Sequence, residues 1–188
     1  MMKKNNSKGI LFWVTGFSGS GKTKISKKIY TKLKKIYGPT VLFSGDDIRR
    51  IFKLRGYSPK ERFETVMKYC KLAKFITSQN VNVVFAVIGM MDKIRVWNKK
   101  NITNYVEIYI KSDLKKIIKK KKKKIKKKKK KIKKKKKKIY NKNKKNIVGL
   151  DIIPEFPKNP DIILINNFKK DINACSKELM LKIKKHIN

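Results

Sequence analysis

A chain of 188 residues with 40% apolar composition is the size of one domain with an ordinary core. Two distant cysteines outside any CxxC pattern, and a lone His186 near the end, exclude a disulfide framework, a Cys/His metal cluster and a histidine-based triad. The formal charge of +42 points first to a nucleic-acid binder, but 20 of the 24 residues from Lys115 to Lys138 are lysine, and the other 164 residues carry only about +22.

Residues 1–9 read as a polar tail, with a basic start but an apolar stretch after it too short for a secretion signal. The domain is expected over 10–188. No run reaches the roughly 18 apolar residues of a membrane span, so the chain reads as cytoplasmic with two partly buried, reduced thiols. Ile10 to Thr15 is a short continuous apolar run ending in a glycine-rich turn, as expected of a central parallel strand. Lys22 to Tyr37 follows with Ile25, Ile29, Leu33 and Ile36 at helical spacing, and Gly38-Pro39 stops it. Thr40 to Phe43 reads as the second strand, and a helix is predicted from about Ile48. Pro59 opens another helix, whose apolar positions are Phe63, Val66, Met67, Cys70, Ala73 and Phe75. Val81 to Ile88, Tyr105 to Ile110 and Ile162 to Ile165 read as further strands, and Ile172 to Ile187 as a closing helix. Strands alternating with helices predict an α/β fold, a parallel sheet with right-handed crossovers and helices on both faces.

The lysine block at 115–138 stands apart. Ile118, Ile125, Ile132 and Ile139 recur every seven residues, but a coiled-coil seam needs two apolar positions per heptad. Lysines at i and i+4 repel along any helix. The block reads as an extended, solvated low-complexity insertion; an arm for RNA, membrane or polyphosphate is the alternative.

Gly16 to Thr23, GFSGSGKT, matches GxxxxGK[ST] in full, after a buried strand and before a helix. In such a loop the backbone N–H groups around Gly16, Ser18, Gly19, Ser20 and Gly21 converge on a phosphate, helped by the helix dipole. Lys22 then places a point charge between the β- and γ-phosphates of ATP, and the Thr23 hydroxyl ligates Mg²⁺. Ser44 to Arg49, SGDDIR, follows the second strand at its carboxyl end, where α/β sheets place ligands. Asp46, favoured over Asp47, can serve Mg²⁺ and orient an acceptor hydroxyl, and Arg49 can clamp an anionic group. The plain alternative is an N-cap aspartate beside a solvated arginine.

These segments resemble the adenylylsulfate kinases. That family carries GLSGSGKT, then a DGDNVR-like segment, then an LGF…DR.EN.RR helix, then ISPYR, a Lys-rich lid and a closing F.GIDSPYE.P.NP. This chain reads GFSGSGKT at Gly16, SGDDIR at Ser44, RGYSPKERFETV at Arg55, VIGMMDKIR at Val87 and NIVGLDIIPEFPKNPD at Asn146. Gly149, Asp151, Glu155, Pro157, Asn159 and Pro160 fall in the register of the closing pattern. The resemblance implies a P-loop kinase fold with a Lys-rich lid, ATP and Mg²⁺ at Gly16 to Thr23, and Lys22 and Asp46 as catalytic residues. It implies that Arg49 and Arg62 grip the acceptor's anionic groups and that Tyr57 stacks on its base. Surface charge for Arg62 and loop packing for Tyr57 are the alternatives. Ile147 takes the second position against the base.

The departures bear on the acceptor. Ser44 replaces the first acid of DGD, Gly89-Met90-Met91 replaces Ser-Pro-Tyr, and Ile147 replaces a second aromatic. Lysines stand where the lid sequence RDPKGLYKKA is expected. The leading expectation is a kinase for the 3′-hydroxyl of adenylylsulfate, a step of sulfate assimilation. The alternative, which the departures favour, resembles the adenylylsulfate-kinase-like proteins of surface-polysaccharide pathways and takes another nucleotide, such as cytidine diphosphoramidate. A third, from a different class, is a degenerate nucleotide- or nucleic-acid-binding module using the lysine run. The expected partner is a small nucleotide rather than a nucleic acid, and the oligomeric state is open, a homodimer being one option.

Overall fold

The computed structural model describes residues 8–120, 146 and 148–187. The lysine block from Lys121 on, Ile147 and all of the N-terminal tail but its last two residues lie outside them. Five strands, β1 (Ile10–Thr15), β2 (Thr40–Ser44), β3 (Asn82–Ala86), β4 (Asn104–Lys111) and β5 (Ile162–Ile165), form one parallel sheet in the order β2-β3-β1-β4-β5. The apolar run of β1 is central because it is buried on both sides. Its side chains alternate across the sheet. Phe12 and Val14 face α1 (Lys22–Tyr37) and the C-terminal helix α5 (Ile172–Ile187). Leu11 and Trp13 face α3 (Pro59–Ser78) and α4 (Asp92–Asn101). Residues 114–120 are also helical, so the first lysines of the block are not extended as expected: Ile117 is buried against Phe17, Met90 and Tyr109 and holds this turn to the core. The chain is therefore an α/β protein with helices on both faces, as expected.

The differences from expectation are local. The second helix, α2 (Gly45–Ile51), begins three residues before Ile48, because the Ser44 hydroxyl accepts the Asp47 N–H at 3.1 Å and caps it there. The end of α3 carries Phe75 65% exposed, not buried. Val66, Tyr69, Cys70, Ala73 and Thr77 form its inward stripe, and position 75 lies about 200° round the helix from Ala73. Ser58 and Glu61 form a reciprocal capping box that starts α3 at Pro59 as predicted. Helix α4 was not legible, since its inward face carries Arg95 and Asn98 beside Ile94. Cys70 and Cys175 are free and fully buried rather than partly so. Burial pushes the Cys70 thiol up to about 12, which leaves it unreactive. Among the described residues no helix is long and apolar enough to cross a membrane.

The sheet order places the functional loops. The chain leaves β1 for β2 on one side and returns to β4 on the other side of β1. The loops after β1, β2 and β3 therefore open at the same carboxyl edge, at the point where the winding reverses.

Candidate active site

The loop between β1 and α1 is shaped for phosphate. Gly21 caps α1 at φ 98°, a left-handed conformation that side chains rarely adopt, and an added Cβ would lie 2.9 Å from Asn166 Nδ2. No side chain caps this helix and its first turn holds no acidic residue, so its N–H groups and positive dipole end face the loop. Lys22, 7% exposed, donates from Nζ to the carbonyls of Gly16 and Phe17, each at 2.8 Å. Its charge is held at the loop it would serve. Ser20 is buried and its N–H donates to Phe17 O at 3.1 Å, closing the turn, while Ser18 and Gly19 are exposed at the tip. Thr23 follows in the first turn of α1. These features fit a bound phosphate group.

Asn166 was missed by sequence reasoning. It is 2% exposed, just past β5, and its Nδ2 donates to Ser20 O at 2.8 Å while its Oδ1 accepts the Phe168 N–H at 3.1 Å. It braces the phosphate loop from the far end of the chain. Its one sequence signal was its place at a strand's carboxyl end.

Beside the loop lies a cleft of about 940 Å³ bordered by Ser18, Asp46, Arg49, Tyr57, Arg62 and Glu155, among others. The two aspartates of SGDDIR have different positions. Asp47 is tied down: its carboxylate accepts from Ser44 Oγ at 2.7 Å and from Arg50 at 2.9 Å. Asp46 is exposed and borders the cleft. Ser44, in place of an acid, thus acts as a helix cap.

Tyr57 is 47% exposed, and both arginines approach its ring, Arg49 at 4.6 Å and Arg62 at 5.1 Å from the centroid. Arg49 Nη1 donates to Gly56 O at 2.8 Å and to Leu54 O at 3.2 Å, which shapes the loop that presents Tyr57. Arg62 donates from Nε to Tyr57 O at 2.9 Å and from Nη2 to Asn146 O at 2.6 Å. Burial and the charge of Arg49 lower the Arg62 pKa. Arg49, Tyr57 and Arg62 therefore come together at the cleft; Ile147 lies outside the described residues. The replaced Ser-Pro-Tyr segment also has a structural account. Gly89 sits at φ +46° with Trp13 3.0 Å from where a Cβ would be, and Met90 is buried in the cluster with Phe17 and Tyr109.

A second groove, of about 360 Å³, lies between the C-terminal half of α1 and α5, with an apolar floor and four lysines at its rim. Its α1 residues are ten or more beyond Lys22, about 15 Å or more along the helix, so it is separate from the phosphate loop.

Known proteins show the same arrangement of chain. The adenylylsulphate kinase family model matches residues 8–165. A cytidine diphosphoramidate kinase of Campylobacter jejuni is 35% identical over 179 residues, 95% of this chain and 97% of that protein. A probable adenylyl-sulfate kinase of Archaeoglobus fulgidus is 26% identical over 82% of this chain and 94% of its own. Among solved structures, the Mycobacterium tuberculosis APS kinase in complex with AMPPNP and APS has a TM-score of 0.73 at 21% identity, covering 94% of this chain and 98% of that one; this is a likeness of fold.

Proposed function

The chain belongs to the adenylylsulphate kinase family, and we propose on that basis that it transfers the γ-phosphoryl group of ATP to a hydroxyl of a nucleotide bearing a small anionic cap. The observation that carries this reading is one cleft bordered by Asp46, Arg49, Tyr57 and Arg62 beside a complete phosphate-binding loop. The loop N–H groups and the α1 dipole would hold the phosphates, and Lys22 would neutralise charge as it spreads over the transferring group. Asp46 is the carboxylate of its pair left to orient the acceptor hydroxyl and take its proton, because Asp47 is committed to Ser44 and Arg50. Thr23 and Asp46 would hold Mg²⁺, which when bound supplies further neutralisation of the phosphate oxygens. Tyr57 offers a ring to the acceptor base, and the two arginines set beside it supply positive charge for the cap.

For the acceptor, we favour a nucleotide of the cytidine diphosphoramidate kind. The support is the 35% identity spanning nearly all of both chains, together with Gly89-Met90-Met91 and Ile147 in place of family residues. Adenylylsulfate is the second reading, favoured by the family match. The supply of ATP and the reduced cysteines accord with a cytoplasmic enzyme.

The test is ADP release from Mg·ATP with each acceptor offered separately, using Lys22→Ala as the blank. Turnover with the cytidine compound alone supports the first reading; turnover with adenylylsulfate alone replaces it with the second. No acceptor-dependent ADP above the blank with either compound would overturn both.

A further inference from the structure

The acceptor cleft is closed on one side by residues 152–156, a stretch with no regular secondary structure of its own beyond a single bridge between Ile152 and Val148. Such a segment needs outside partners to hold one position, since each unpaired backbone group leaves it free to move. Those partners come largely from one buried side chain. Arg95 of α4 is 6% exposed. Its Nη1 donates to Glu155 O at 2.8 Å and its Nη2 to Phe156 O at 3.2 Å. The same Nη2 pairs with the Asp92 carboxylate, and Nε lies 3.4 Å from Glu107 Oε1 on β4, a carboxylate whose side chain is 4% exposed.

The contacts are reciprocal. The Glu155 N–H donates to Met90 O at 3.2 Å, and the Glu155 carboxylate accepts the Asp92 N–H at the start of α4. Met91, the N-cap residue there, offers no side-chain acceptor, so Glu155 takes that role from the segment packed against α4. Beyond the knot, the Phe156 ring meets Phe17 of the phosphate loop edge-on at 5.7 Å and Tyr109 at 6.4 Å. Segment 152–156 thus borders the acceptor cleft on one side and touches the phosphate loop on the other.

A planar fork is needed at this position. Two adjacent carbonyls, a carboxylate on the same helix and a carboxylate on a neighbouring strand require donors at fixed angles, which guanidinium has and ammonium lacks. A buried charge kept only for stability would be a poor choice, because an apolar pair of similar volume usually does as well. The pair is better explained by what it holds.

We propose that Arg95, seated on Glu107, is a positioning residue for phosphoryl transfer: it sets segment 152–156 and so fixes the acceptor wall relative to the phosphate loop. The proposal rests on the kinase reading for its catalytic consequence, but not for its structural one. The phosphate loop has its own brace in Asn166 and its own turn bonds, so the loss of Arg95 falls on acceptor binding before ATP binding.

Two variants test it. Arg95→Lys keeps a charge for Glu107 and loses the fork. Arg95→Met with Glu107→Leu removes both buried charges together, avoiding an orphaned carboxylate that could unfold the chain. Three quantities are read on the full chain: amide hydrogen exchange of residues 152–156, affinity for Mg·AMPPNP, and KM for whichever of adenylylsulfate and cytidine diphosphoramidate the unsubstituted protein turns over. In both variants we expect exchange at 152–156 to rise about 10-fold or more and acceptor KM to rise by a similar factor. AMPPNP affinity is expected to stay within about 2-fold, with Arg95→Lys the milder variant. Unchanged exchange at 152–156 in a folded Arg95→Lys protein would overturn the proposal. So would equal losses of acceptor and AMPPNP binding, which would mark general packing. If the unsubstituted chain uses neither acceptor, the kinase reading fails separately, and exchange with AMPPNP affinity still decides the positioning claim.

Discussion

Replacing Asn166 by aspartate removes one hydrogen bond and leaves the rest of the residue's role in place. Asn166 Nδ2 donates to Ser20 O at 2.8 Å and Oδ1 accepts the Phe168 N–H at 3.1 Å, both at a site 2% exposed. Aspartate keeps the acceptor for Phe168 and turns the donor into an oxygen facing the Ser20 carbonyl oxygen. The lost neutral hydrogen bond is worth about 1 kcal/mol, and the buried carbonyl left without a donor adds about 1–3 kcal/mol. A total of about 2–4 kcal/mol lowers the melting temperature by roughly 5–15 °C for a chain of this size. Because the orphaned carbonyl belongs to Ser20, inside the phosphate loop, part of that energy is also lost from ATP binding. One factor of ten in affinity corresponds to about 1.4 kcal/mol, so a rise in the KM for ATP of at least about 10-fold is expected. The assay is a thermal melt at pH 8, where the aspartate has the strongest tendency to ionise, with and without Mg·AMPPNP, followed by steady-state ADP release. Asn166→Ala, which loses both bonds, is the comparator. A melting temperature within about 1 °C of the unsubstituted protein, with the KM for ATP within about 2-fold, would refute the bracing role.

Other outcomes follow from the same geometry. Burial raises the Glu107 carboxyl from its ordinary 4.5 to about 7, with Arg95 and Lys99 pulling it back down and Asp161 adding to the rise. The folded chain therefore holds this proton over a window where the unfolded chain has released it. Its contribution to stability is fully present below about pH 4.5 and is lost as pH rises to about 7. Glu107→Gln should flatten that part of a stability-versus-pH curve measured by urea unfolding; an unchanged slope would contradict it. Tyr57→Leu should raise the acceptor KM about 5- to 150-fold, since base–aromatic stacking is worth about 1–3 kcal/mol, with the KM for ATP unaffected. Gly89→Ala should destabilise the fold by about 1–3 kcal/mol, because the added Cβ meets Trp13 at 3.0 Å and φ is +46°. The near-Trp13 contact makes tryptophan fluorescence a suitable probe of that unfolding. Phe75→Ser should leave stability within about 0.5 kcal/mol in the same urea titration, because the ring is 65% exposed.

Much of this protein was legible in local pattern. The run ILFWVT, the GFSGSGKT loop and the 3.6-residue spacing of Ile25, Ile29 and Leu33 specify a strand, a phosphate loop and a helix within about 30 residues. Their physics is short-range: apolar periodicity, glycine dihedrals and helix caps act between neighbours in the chain. The closing segment NIVGLDIIPEFPKNPD was legible as family pattern, but nothing in it shows that the Glu155 carboxylate caps a helix 63 residues earlier.

Helix α4 illustrates the limit. DKIRVWNKKN has few apolar positions, so its inward face could be found only once Glu107 and the carbonyls of residues 155 and 156 stood opposite Arg95. Glu107 was itself a signal left unread, since an acid at an inward position of an apolar strand demands a buried partner. Sequence alone determined the strands, the other main helices and the glycine-rich loop pattern, because each is written in contiguous residues. The tertiary structure decided which of Asp46 and Asp47 faces the cleft, what holds segment 152–156, and how Asn166 reaches Ser20 across 146 positions. Those contacts depend on the strand order β2-β3-β1-β4-β5, which brings distant loops to one edge of the sheet and leaves no periodicity in the chain to announce it.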